Sequence, residues 1–183
     1  MRAGLVLLLA ASLFAILVGA GPSATKVVHE DAFWVMGIEV RTNNAKEATS
    51  EGLIGRQWQK FFQDGVLEKI PNKTGGYIYA VYSDYASDHN GDYSFLIGAK
   101  VADGSKAPAD FVLKKVPGGN YAVVPTEKGP IAKVVSEAWQ RIWAMEDKRE
   151  LGGPRAYKVD YELHDQRSAD PQNALVDIYI GLK

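Results

Sequence analysis

Gly129–Met145 reads GPIAKVVSEAWQRIWAM. Its apolar residues Ile131, Val134, Val135, Ala138, Trp139, Ile142 and Trp143 recur at steps of three and four, the period of a helix with one buried face. Pro130 suits the first turn, where its missing N–H would have had no partner. Lys133, Ser136, Glu137, Gln140 and Arg141 fall on the opposite side. The stretch has an echo earlier in the chain: Glu137-Ala-Trp-Gln-Arg-Ile-Trp143 is similar to Arg56-Gln-Trp-Gln-Lys-Phe-Phe62.

A second match follows in the same order. Phe95-Leu-Ile-Gly-Ala-Lys100 corresponds to Ile178-Tyr-Ile-Gly-Leu-Lys183, and the shared Trp and shared Ile stand 39 residues apart in one half and 41 in the other. A long repeat present only twice argues against a solenoid, which needs at least three units. The pattern predicts an α+β fold, a tandem duplication with pseudo-two-fold symmetry. Each half is an antiparallel sheet with one long helix on a face, and the cleft between the halves is the natural ligand pocket. Repeat one covers about 32–103 and repeat two about 109–183.

Local readings fill this frame. Ala32 to Val40 reads as a strand, and Thr49 or Ser50 caps a helix to about Gln63 with Leu53, Ile54, Trp58, Phe61 and Phe62 inward. Gly65 to Gly76 reads as a loop. Tyr77 to Tyr82 alternates, with Ile78, Ala80 and Tyr82 on one face, and Asp92 to Val101 returns as a hairpin strand. In the second half Phe111–Val116 is a short apolar segment, Asn120–Glu127 a strand, Arg155–His164 a strand and Ala174–Leu182 the last strand.

The N-terminus stands apart. Arg2 precedes an apolar run from Leu5 to Val18, and Val18-Gly-Ala20 supplies small residues before a cleavage point. Residues 1–20 are therefore expected to be a signal peptide cut after Ala20, leaving 21–183 exported, periplasmic or extracellular. An uncleaved leader would be the only route to the membrane.

Composition narrows the function. The chain has 183 residues, a net charge of −1 and no long basic run, so phosphate-driven nucleic-acid binding is not expected. It contains no Cys, which excludes disulfides, thiolate metal sites and Cys nucleophiles. His29, His89 and His164 lack metal-ligand spacing, and no Walker-type or dinucleotide-binding glycine motif occurs, so no metal and no cofactor is expected.

Four stretches together resemble a known family: Val81-Tyr-Ser-Asp-Tyr-Ala-Ser-Asp-His-Asn-Gly-Asp-Tyr93, Trp139-Gln-Arg-Ile-Trp143, Arg155-Ala-Tyr-Lys-Val-Asp-Tyr-Glu162 and Val176-Asp-Ile-Tyr-Ile-Gly-Leu-Lys183. They are similar to the GyrI-like small-molecule-binding domain, also called the AraC or bacterial transcription activator effector-binding domain. The likeness runs from about Phe33 to Lys183. It implies a tandem βαβββ fold and a binding module for bulky, often cationic aromatic molecules, held between aromatic rings against a buried acid. By the resemblance Glu162 matches the pocket acid, with Trp58, Trp139 and Tyr179 as aromatic partners and Tyr82 and Trp143 as further candidates. No helix-turn-helix stretch is read here, so a DNA-binding role is not expected. Some stand-alone relatives are hydrolases of reactive small molecules, an alternative in which Glu162 would be general acid or base.

Overall fold

The computed structural model describes residues 25–183, and the expected signal peptide lies outside them. In chain order come β1 (Lys26–Glu30), β2 (Phe33–Thr42), α1 (Asn44–Glu47), α2 (Ile54–Gln63), α3 (Val66–Lys69), β3 (Ile78–Ser83) and β4 (Tyr93–Val101). Then follow β5 (Val112–Val116), β6 (Gly119–Pro125), α4 (Ile131–Asp147), β7 (Arg155–His164) and β8 (Asp177–Leu182). All eight strands belong to one antiparallel sheet, ordered β1-β6-β8-β7-β3-β4-β2-β5.

That order is symmetric about the β7–β3 seam. Exchanging the halves carries β3 onto β7, β4 onto β8, β2 onto β6 and β5 onto β1. The duplication read from the sequence is present, and the half-sheets are continuous: β3 and β7 pair from Ile78↔His164 to Ser83↔Val159. The first half is β2-α2-β3-β4-β5 in chain order. The second half runs β6-α4-β7-β8 and takes its outer strand, β1, from the start of the described chain. The segment Phe111–Val116, grouped by order with the second repeat, thus contributes β5 to the first half, paired with β2.

Helices cover one face of the sheet. Val134, Ala138, Trp139 and Ile142 of α4 are buried, while Ile131, Val135 and Trp143 on the flank of the stripe are half-buried. The helix of the first half starts later than Thr49 or Ser50 suggest. Residues between α1 and α2 turn instead, because the Glu47 carboxylate accepts from the amides of Leu53 (2.9 Å) and Ile54 (3.0 Å). This caps α2 from a distance, satisfying donors that lack an intrahelical partner. Gly52 leaves room for that carboxylate, since a Cβ there would lie 2.9 Å from Glu47 Oε2. Phe61 is buried as expected, but Phe62 is 64% exposed. The next residue along a helix is turned by about 100°, which carries Phe62 past the buried stripe. The Gly65–Gly76 loop contains the short α3.

The opposite face carries a second apolar cluster of Phe33, Val35, Val81, Leu96, Val116, Tyr121, Val159 and Tyr161. β2 and β4 face each other with two glycines at the pair Gly37↔Gly98. A Cβ on either glycine would sit 1.9 Å from a backbone oxygen of the other strand.

Candidate functional site

The seam of the sheet is the floor of a cleft of about 1060 Å³. Register decides what faces it. β3 and β7 pair Tyr82 with Asp160, Ala80 with Glu162 and Ile78 with His164. Directly paired residues share a face, so Tyr82, Glu162 and His164 all point to the helix side. The walls are α2, with Ile54, Trp58 and Phe62, and α4, with Ile131, Val135, Trp139 and Trp143. Trp58/Phe62 and Trp139/Trp143 are both spaced i,i+4, which puts each aromatic pair on one helical face.

Glu162 lies at the centre, 2% exposed. Its Oε1 accepts from the Tyr82 hydroxyl at 2.7 Å and from Trp139 Nε1 at 2.8 Å, and its Oε2 lies 2.8 Å from His164 Nε2. Burial alone would push the carboxyl up, but the hydrogen bond from His164 and its charge when protonated, with the Trp139 and Tyr82 donors, hold it below its ordinary value. Burial, reinforced by the nearby Glu162 charge, pushes Tyr82 well above the usual phenol range, so it remains a neutral donor. The Trp139 ring lies 4.7 Å from that of Tyr82, and Trp58 lies 4.9 Å from the His164 ring and 5.7 Å from Phe62. The floor is an ionised carboxylate framed by aromatic faces. A carboxyl held this way is a weak general base at neutral pH.

The other end of the cleft is filled by the protein's own cation. Arg155, buried on β7, pairs with the fully buried Asp160 at 2.7 Å and with Glu146 at 3.4 Å. Its guanidinium sits over the rings of Tyr157 (4.4 Å), Tyr85 (5.6 Å) and Trp139 (5.7 Å). Asp160 also accepts from the Tyr85 hydroxyl at 2.6 Å and the Gly181 amide at 2.8 Å. Tyr157 is held at a φ of 53° where the β7–β8 register shifts between Arg155 and Asp160. That left-handed conformation is costly for a tyrosine, and the Tyr157 hydroxyl bonds to Glu146 at 2.7 Å help hold it. His89 stacks on Trp143 beside this network.

The structure therefore brings Glu162, Trp58, Trp139, Tyr82 and Trp143 to one cleft. It does not bring Tyr179 there. Tyr179 pairs with Tyr161, one residue out of phase with Glu162, and stacks on that ring at 4.4 Å on the opposite face of the sheet. His164, Arg155, Tyr85 and His89 also line the cleft, beyond the site residues that the sequence marks. For His164 the signal was present: it stands two residues after Glu162 on a strand, so alternation alone puts both on one face. Among the described residues no cluster of His, Asp and Glu is arranged to hold a metal ion.

Comparison with known proteins gives a consistent picture. Residues 26–182 match the family described as integron-associated effector binding protein. YobU of Bacillus subtilis (strain 168), a protein named as a transcriptional regulator, is 33% identical over 86% of this chain and 96% of its own length. The transcriptional regulator BrlR of Pseudomonas aeruginosa is 30% identical over 86% of this chain, which spans about half (54%) of BrlR. An integron cassette protein from the mobile metagenome of Vibrio cholerae has the same fold, with a TM-score of 0.71 at 24% identity over 88% of this chain and 97% of its own. SAV2435, solved bound to tetraphenylphosphonium, also has it, with a TM-score of 0.71 at 18% identity over 87% of this chain and 93% of its own.

Proposed function

This chain belongs to the family of integron-associated effector binding proteins, and on that premise we propose that it binds an amphipathic aromatic cation in the cleft between α2 and α4. The observation that carries the proposal is Glu162: a carboxylate kept ionised at the apolar, aromatic floor of a cavity large enough for a drug-sized molecule. Aromatic faces attract cations by about 0.5–2 kcal/mol each, and a poorly hydrated carboxylate adds charge attraction that water would otherwise screen. Tetraphenylphosphonium bound to SAV2435, a protein of the same fold, is a ligand of this chemistry.

The proposed site residues are Glu162 for charge, Trp58 and Trp139 as walls, and Tyr82 and Trp143 at the floor and rim. The proposed setting is outside the cytoplasm, which the apolar run Leu5–Val18 and the small residues through Ala20 support. N-terminal sequencing of protein recovered from the periplasm or medium checks this, with Gly21 as the expected first residue.

The binding test compares tetraphenylphosphonium with neutral triphenylphosphine oxide by calorimetry, in wild type and Glu162→Gln. The cation is expected to lose about tenfold or more in affinity, roughly 1.4 kcal/mol, while the neutral analogue changes little. Equal loss of both would refute a charge role for Glu162.

A further inference from the structure

Glu162 does not wait in the cleft as a free charge, because His164 already stands against it. Nε2 of His164 is 2.8 Å from Glu162 Oε2, while Oε1 is taken by the neutral donors Tyr82 and Trp139. The indole of Trp58 lies 4.9 Å from the imidazole, tilted by 60°. His164 therefore touches both features a bound cation would use, the carboxylate and an aromatic wall.

We infer that His164 sets the charge preference of the cleft: its ring proton and a ligand cation compete for one carboxylate, so a cation binds with release of a proton from His164 to solvent. With the ring neutral, Nε2–H still donates to Oε2 and the floor carries the full negative charge. With the ring protonated, Glu162 and His164 form a neutral pair, and Trp58 faces an internal cation. An entering cation then meets no net attraction and a like charge beside it. Neutral aromatics do not sense the difference. Histidine is the side chain that makes this exchange available near neutral pH.

The surroundings of His164 leave the competition to these partners. Its own strand supplies Glu162, and the adjacent Asp165 is engaged by Arg167 at 2.7 Å. β3 presents Ile78 opposite it and Tyr82 through Glu162, α2 presents Trp58, and α4 presents Trp139 through Glu162. Whichever form the ring takes, the Tyr82 hydroxyl, Trp139 Nε1 and His164 Nε2 all face the Glu162 carboxylate.

This inference rests on the cation-binding reading above, and the test separates the two. The whole purified protein is titrated with tetraphenylphosphonium, which carries no exchangeable proton, at pH 8 and pH 5.5 in buffers of different ionisation enthalpy. Affinity is expected to fall by about fivefold or more at the lower pH, the low end of couplings between two ligands. Buffer-dependent heat should report proton release, and triphenylphosphine oxide should bind alike at both pH values. In His164→Gln, which keeps a donor to Glu162, the phosphonium should still bind at pH 8 and lose most of its pH dependence. If that variant does not fold, the wild-type His164 ring signal in NMR should titrate at lower pH when the phosphonium is bound. Equal affinity at both pH values with no proton released overturns the role of His164 and leaves the cation site standing. So does an unmoved ring titration, or a pH dependence that survives in His164→Gln. No phosphonium binding at either pH overturns both readings.

Discussion

Glu162 is enclosed by protein yet keeps its charge, because Tyr82, Trp139 and His164 replace the water it lost. The consequence for stability has a definite sign. The unfolded carboxyl titrates at its ordinary value of 4.5 and the folded one below it. Between those values the unfolded chain takes up a proton and the folded chain does not. The stabilisation is therefore complete above the ordinary value and is lost as pH falls through the folded one. Urea midpoints measured from about pH 5 downward should drop more steeply in wild type than in Glu162→Gln. Arg155 poses the complementary case. Replacing it with Met leaves Asp160 buried with only the Tyr85 and Gly181 donors, and should cost about 3–5 kcal/mol in urea unfolding. A cost below about 1 kcal/mol would mean that the pair contributes no more than a surface ion pair.

At the scale of elements, α2 has no capping side chain of its own and borrows Glu47 from α1. Glu47→Ala should destabilise the fold by about 1 kcal/mol, in the range of a lost N-cap. Glu47 also lines the cleft, so the same change both removes a carboxylate from its wall and loosens the turn before Trp58, and it should weaken tetraphenylphosphonium measurably by calorimetry. The β2–β4 pair makes a harsher demand. Gly98→Ala would force a Cβ to 1.9 Å from the Met36 carbonyl oxygen, and backbone of a central strand has nowhere to go. Soluble yield and circular dichroism of that variant should show a protein that is unfolded or severely destabilised.

At the scale of the molecule, the seam between the duplicated halves is both the structural joint and the floor of the site. Tyr82 and Glu162 approach across it from β3 and β7, so one strand pairing builds the sheet and assembles the pocket together. A ligand in this cleft touches both halves through α2, α4 and the seam. Ligand at about 100 times its dissociation constant should add about 2.7 kcal/mol of stability, read as a rise of several degrees in Tm. Absence of any shift with a ligand shown by calorimetry to bind would mean that the unfolded chain binds it as well.

The sequence by itself determined the duplication, the helical stripe of α4, the strand limits Arg155–His164, and the aromatic character of both helix faces. These are local periodicities and self-similarities, which the chain carries wherever it is placed. It also carried the alternation that puts His164 beside Glu162, two residues on. Only the tertiary structure decided that Tyr179 turns away, because its side follows from pairing with Tyr161, and a shift of one residue would have reversed it. The same is true of β1, a short polar strand made meaningful by its pairing with β6, and of α2, whose start was moved by a carboxylate seven residues before Ile54. The ionised state of Glu162 belongs here as well. Three donors from β3, α4 and β7 fix it, and no spacing along the chain announces that they meet.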